Sequence, residues 1–183
     1  MLKVWGRLNS LNVQKAMFAI LEAGVPHERA NAGMEHGVVQ TDEYKAMNPN
    51  SVVPTIVDDG FVLWESNVIV RYISAKHAPG VLWPVDPKER ADSDRWMDWQ
   101  QTTFNPPLTT TFWERVRAPG KTPADQLAQL RLDRCPVAHG HHHHAGRHQV
   151  LLRYGHGLVA GHRVHLRRVA AVVVQSQVVG EHV

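Results

Sequence analysis

The stretch Asn48-Pro-Asn-Ser-Val-Val-Pro54-Thr-Ile-Val-Asp-Asp-Gly60-Phe-Val-Leu-Trp-Glu65-Ser66 decides the fold. Val53-Pro54 ends a loop and opens a short apolar strand, Thr55-Ile56-Val57. Asp58-Asp59-Gly60 is a hairpin turn signal. The apolar run Phe61-Val-Leu-Trp64 then gives way at Glu65-Ser66 to a helical run from Asn67 to Ala75. A helix start presents backbone N–H groups without intrahelical partners, together with the positive end of the helix dipole, and so suits a carboxylate. Loop, hairpin and helix start together describe a site for a small, peptide-like, anionic ligand.

Upstream, Leu2-Lys-Val-Trp5 reads as a strand and Gly6 to Ser10 as a loop. Val13, Ala16, Met17, Ile20 and Leu21 form a helical stripe over Leu11 to Ala23. Ser10 stands where a cap belongs and Gly24 where the helix stops. His27 to Asn31 reads as a second strand and Thr41 to Met47 as a short helix. The predicted order is β-α-β-α-β-β-α. Downstream, Pro79-Gly80 and Trp83-Pro84-Val-Asp-Pro87 form a proline-rich linker. From Asp86 the pattern is helical. Lys88 to Arg117 carries Trp96, Met97, Trp99, Phe104, Leu108, Phe112 and Trp113, and Pro106-Pro107 must kink or split that run. Tryptophans at this spacing read as core, and so Phe112 and Trp113 are assigned there. Thr122-Pro-Ala-Asp125 opens a further helix, with Thr122 as its cap.

Composition bounds the rest. At 183 residues the chain holds one or two small domains, and 43% hydrophobic residues is ordinary for a globular protein. The N-terminus shows no secretory pattern, and the longest apolar stretch, Val169 to Val174, is too short to span a bilayer. A single cysteine, Cys135, excludes an internal disulfide framework and agrees with a cytoplasmic setting. The basic pI of 9.2 is local in origin. Residues 1–134 carry 15 Lys+Arg against 16 Asp+Glu, a net of −1, and residues 135–183 carry five arginines against Glu181, a net of +4.

The composition breaks at the same point. All six tryptophans and all six lysines precede residue 122, and ten of 13 histidines follow residue 134, including His141-His-His-His144. The segment 135–183 keeps no steady hydrophobic period. Three readings compete for it. Imidazoles ligate metals, but four adjacent histidines without a supporting shell make an adventitious site. A basic nucleic-acid arm would carry lysines and clustered arginines. A reading-frame slip near residues 128–136 of a G+C-rich gene would generate this His/Val/Arg-rich composition, and it is the favoured reading over metal binding or a divergent domain. Sequencing the gene through codons 125–137 decides among them.

Four stretches carry a resemblance: Ser10-Leu-Asn12-Val-Gln-Lys15, Asn48 to Pro54, Leu63-Trp-Glu65-Ser66-Asn-Val-Ile-Val-Arg-Tyr72, and Asp94-Arg-Trp-Met-Asp-Trp99. In that order, residues 1 to about 130 resemble a bacterial cytosolic glutathione S-transferase. The resemblance implies an α/β thioredoxin-like N-terminal domain followed by an all-α C-terminal domain, here incomplete. The domains are then 1–78 for glutathione binding, 79–85 as linker, 86–134 as a partial helical domain, and 135–183 as an atypical tail. It also implies a homodimer, with Trp96 among the contacts, glutathione as co-substrate, no metal, and neither nucleic acid nor membrane as partner.

The implied chemistry joins the glutathione thiolate to a small hydrophobic electrophile or uses it as a reductant. Ser10 is the hydroxyl that stabilises the thiolate, with Asn12 as second donor. Val53-Pro54, with a cis bond, clamps the cysteinyl part by strand-like backbone pairing. Ser66 and its helix start take the γ-glutamyl carboxylate, and Glu65 takes the ammonium. Val52 stands where relatives often place Lys, Gln or Arg for the glycine carboxylate, and His36, Gln40 and Lys45 are the substitutes within reach of sequence reasoning. A non-catalytic binding or regulatory module and an inactive product with a disrupted helical domain are the alternatives.

Overall fold

The computed structural model describes residues 1–123 and Asp125. The segment 135–183, with its histidine run and its competing readings, lies outside the described residues, as does the continuation of the helix expected from Thr122. Two compact units divide, among the described residues, between Asp94 and Arg95.

The first unit is a four-stranded sheet with helices. Its strands are β1 (Leu2–Trp5), β2 (His27–Ala30), β3 (Thr55–Asp58) and β4 (Phe61–Trp64), ordered β2-β1-β3-β4. β1 pairs in parallel with β2, from Leu2 opposite His27 to Trp5 opposite Ala30. A parallel pair needs a crossover, and α1 (Leu11–Glu22) supplies it. β3 runs antiparallel to β1, with Ile56 opposite Val4, and β4 antiparallel to β3, with Val57 opposite Val62. The β3–β4 turn is Asp59-Gly60, both at positive φ (49° and 89°). That is what a two-residue turn matched to strand twist demands, and Asp-Gly meets it.

α2 (Asp42–Met47) begins where Thr41 Oγ1 accepts the Tyr44 N–H at 3.2 Å. α3 (Ser66–His77) packs on α1: Val13, Ala16 and Ile20 of α1 and Ile69, Val70 and Ile73 of α3 are all buried. Gly6 lets the end of β1 settle onto this pair, since a Cβ there would stand 2.5 Å from a Val13 methyl. Ser10 departs from expectation. It holds the cap position of α1 with extended backbone (φ −100°, ψ 121°) and its carbonyl accepts from Gln14 at 2.9 Å, but its side chain makes no capping bond.

α4 (Pro87–Trp99) is capped by Asp86, whose Oδ1 accepts the N–H groups of Lys88 and Glu89 at 2.9 and 3.0 Å. Its first turns belong to the first unit, where Arg71 Nε donates to Asp94 Oδ1 at 2.6 Å. In the second unit the chain passes through a π-helical turn, Gln100–Phe104, into α5 (Asn105–Phe112), then a second π-helical turn, Trp113–Arg117. Pro106 and Pro107 occupy the first turn of α5, where their missing N–H groups cost least. The expected interruption therefore takes the form of a widened turn ahead of the prolines. Trp99 stacks on Phe104 at 5.6 Å and meets Trp96 edge-on at 5.7 Å. Trp113, expected in the core, is 47% exposed. The helical stripe that suggested burial assumes an unbroken 3.6-residue period, which the π turns displace. Glu114 gathers the N–H groups of Gly120 and Thr122.

Candidate active site

The N-terminal ends of α1 and α3 meet. Asn12, in the first turn of α1, accepts through Oδ1 from the Ser66 hydroxyl at 3.4 Å, across 54 residues of sequence. Ser66 is the first residue of α3 and is buried. Ser10 is half-buried at the start of α1, its hydroxyl uncommitted to the cap. Glu65 precedes α3 with φ 71° and ψ 109°, exposed to solvent, and its carbonyl accepts from Ile69 at 2.9 Å. Four of the six candidates, Ser10, Asn12, Glu65 and Ser66, thus lie at the two helix starts, and Val53 and Pro54 lie on the loop before β3.

That loop carries Val53 and Pro54, both buried and joined by a cis bond. Its shape is held by a knot of buried polar groups. The Val52 carbonyl accepts from Tyr44 Oη at 2.7 Å and from Asn48 Nδ2 at 2.9 Å, and both of those side chains also reach Thr55 Oγ1, at 2.8 and 3.0 Å. Burial raises the Tyr44 phenol above its ordinary pKa, with the Thr55 and Asn48 contacts acting the other way. Tyr44 therefore stays a neutral donor across the working pH range. The Val52 side chain itself is 54% exposed and wholly aliphatic. His36, Gln40 and Lys45 are all exposed, and His36 Nε2 lies 3.4 Å from Glu35 Oε1.

Sequence reasoning gave one charged residue, Lys15, no role. Lys15, one turn along α1 from Asn12, has 0% of its surface exposed, and its Nζ donates to Asn67 Oδ1 at 3.0 Å. Burial lowers its pKa to about 8, opposed by the charge of Glu65. A lysine flanked by Val13 and Ala16 gives one signal of this, its place near the apolar stripe, but long lysine stems commonly lie there with the ammonium in water. Two parallel contacts, Asn12–Ser66 and Lys15–Asn67, therefore tie the beginnings of α1 and α3 together.

Among the described residues, no group of three or more His, Cys, Asp or Glu is arranged to hold a metal, and no helix is long and apolar enough to cross a membrane.

The chain is similar to known proteins. Residues 1–75 match the glutathione S-transferase N-terminal domain. Glutathione S-transferase GstB of Escherichia coli K12 is 40% identical over 135 residues, which make up 73% of this chain and 63% of that protein. A theta-class glutathione S-transferase of Xanthomonas axonopodis pv. citri, crystallised with glutathione bound, superposes with a TM-score of 0.67 at 45% identity, over 70% of this chain and 62% of that one. Glutathione transferase F2 of Populus trichocarpa gives a TM-score of 0.62 at 28% identity, over 69% and 60%. The chain thus spans less than two thirds of the length of these relatives. Over residues 1–75, a thioredoxin-like sheet with helices, the chain matches the glutathione S-transferase N-terminal domain, and over 135 residues it is similar to glutathione S-transferases.

Proposed function

We propose that this chain binds glutathione at the paired starts of α1 and α3 and transfers its thiolate to, or reduces with it, a small hydrophobic electrophile. The observation that carries the reading is the Asn12–Ser66 hydrogen bond. It brings the residues suited to a thiolate beside those suited to an α-amino acid head. The glutathione held by the Xanthomonas relative supports the choice of ligand.

A thiol is a poor nucleophile until deprotonated, and its ordinary pKa of ~8.5 must fall toward neutrality. The Ser10 hydroxyl, not spent on a cap, donates to the forming thiolate. Asn12 turns Oδ1 toward Ser66, which directs its Nδ2 donors away from that side chain. The N-terminal end of α1 adds dipole stabilisation. Val53 offers backbone groups to the cysteinyl part, the backbone N–H groups of Ser66 and of the first turn of α3 take the γ-glutamyl carboxylate, and Glu65 takes the ammonium. A homodimer, a cytoplasmic setting and a domain boundary within 79–85 belong to the same proposal.

Retention on immobilised glutathione tests binding, and turnover of an aryl halide tests chemistry. Each of Ser10→Ala and Asn12→Ala is expected to lower kcat/KM, the more important donor by about 10²-fold, as for loss of one preorganised donor to a developing anion. Full activity in both variants would sink the assignment of the thiolate site. One observation favours a second reading. With aliphatic Val52 exposed where a glycine carboxylate would seek a polar group, a binding module without turnover is the alternative. Retention on glutathione with no turnover of several electrophile classes would select it.

A further inference from the structure

We propose that the buried ammonium of Lys15 is a positioning charge for the site: it makes the start of α3 selective for the α-carboxylate of the γ-glutamyl head. The proposal rests on the glutathione reading above and adds a residue to it. Lys15 touches no ligand in this scheme and acts through Asn67 and through its field.

The argument begins from cost. Burying an ammonium is expensive by several kcal/mol, even after relaxation. A methionine would fill the same space between α1 and α3 without that expense. The position makes matters worse. Asn67, which accepts from Lys15 Nζ at 3.0 Å, is the second residue of α3, so the cation lies against the positive end of that helix dipole. A cation beside a helix N-terminus is repelled, since the first turn favours anions. Two like potentials converge on one spot.

An anion standing at the start of α3 is attracted by both. Glu65, the residue before α3, supplies part of that charge and raises the Lys15 pKa. Glu65, however, is exposed and assigned to the ligand's ammonium, and so its charge is neutralised as the ligand arrives. The incoming carboxylate is then attracted by the ammonium and the helix start together. Lys15 remains charged for this role: with its pKa at about 8, about nine molecules in ten carry the proton at pH 7. Its bond to Asn67 ties the charge to the start of α3, and the Asn12–Ser66 bond alongside joins the two helix starts. The site thereby presents a zwitterion with its complement: a cationic interior under the helix start for the carboxylate, and an anionic rim for the ammonium.

The test compares two ligands by calorimetry: glutathione, and its analogue with a γ-aminobutyryl group in place of γ-glutamyl, which lacks the head carboxylate. The unmodified protein is expected to prefer glutathione. Lys15→Gln keeps a donor for Asn67 and removes the charge, so that preference should fall by about tenfold, as for a unit charge acting across several ångströms at intermediate dielectric. Lys15→Arg should keep it. Equal weakening of both ligands marks a purely structural lysine and overturns the proposal, as does an unchanged preference. If Lys15→Gln does not fold, Asn67→Ala carries the same comparison, because it leaves the charge and removes its bond to the start of α3. A selective loss of about threefold or more supports the proposal, and a parallel loss or none overturns it. An unmodified protein that binds no glutathione overturns the functional reading and this inference with it. Binding without the expected change in preference overturns this inference alone.

Discussion

Glu65 joins backbone conformation to ligand chemistry in one residue. At φ 71° it lies in the left-handed region, where a side chain bearing a Cβ costs about 1–2 kcal/mol. Conformations of this kind persist where the surroundings over-determine them, and they gather at ligand clamps. Here the constraint is visible: the Trp64 end of β4 fixes one side of the residue, and the Glu65 carbonyl is taken by Ile69 N–H on the other. Substitution separates the two roles. Glu65→Ala and Glu65→Gly should lose glutathione affinity alike, since both delete the carboxylate. The glycine variant should be the more stable of the two by about 1 kcal/mol, because glycine adopts positive φ freely. Urea unfolding of the pair decides it, and equal stability would remove the argument for strain. The Glu65-Ser66 pair is legible in sequence because a strand visibly ends there and a helix visibly begins. The positive φ is not legible, for glutamate carries none of the signal a glycine would. Lys15 is hidden for a related reason: the packing of α3 over α1 decides its burial, and its place near the apolar stripe is only a weak local sign of it.

At the scale of elements, α3 is fastened at both ends. Its start is tied to α1 by Asn12–Ser66 and Lys15–Asn67, and its last turns are tied to β3 by Asp58. Asp58 Oδ2 accepts from Tyr72 Oη at 2.8 Å and Lys76 Nζ at 2.6 Å, with His77 Nε2 at 4.0 Å. Burial pushes the Asp58 carboxyl up, but the bonds from Lys76 and Tyr72 and the charges of Lys76 and His77 pull it further down, and the net is below its ordinary value. The sign follows. A carboxyl whose pKa is depressed by folding stabilises the fold above its unfolded pKa of about 3.9 and loses that contribution as pH falls through the folded value. Asp58→Asn should cost about 1–2 kcal/mol at pH 7, the lower end being favoured because Lys76 is 41% exposed and screened by water. The gap between the two proteins should close as pH is lowered from about 5 to below the ordinary carboxyl range. A gap independent of pH in chemical unfolding would show that the carboxylate is not the fastening. The sequence marks these elements well, because strand, Asp-Gly turn and helix each have a distinct period or turn residue. It marks the π turns poorly. Pro106-Pro107 announces an interruption, but the chain absorbs it in Gln100–Phe104, ahead of the prolines, where no residue type signals a widened turn.

Among the described residues, the sheet and the α1–α3 pair that carry the candidate site are deeply buried. Leu2, Val4, Val13, Ala16, Ile20, Ile56, Ile69, Val70 and Ile73 are each within 2% of full burial, and all belong to the sheet and to the α1–α3 pair. α5, by contrast, has no buried residue, and the turn after it carries the exposed Trp113. Local opening is easiest where few apolar contacts are lost, so the two regions should differ in protection against hydrogen exchange. Amides of β1, β3 and α1 are expected to exchange more slowly than those of 105–117 by about two orders of magnitude or more, corresponding to about 3 kcal/mol between local and deeper opening. Glutathione stabilises the state that binds it by mass action. Added glutathione should therefore slow exchange further at the starts of α1 and α3 and along the loop at Val53, and leave 105–117 as it was. Exchange resolved by peptide mass spectrometry, with and without the ligand, reads both effects in one experiment. Uniform protection across the described chain would contradict the burial pattern. Ligand protection spread equally into 105–117 would show that glutathione binding engages the helical segment as strongly as the thioredoxin-like one, and that Ser10, Asn12, Val53, Glu65 and Ser66 are an incomplete account of the site.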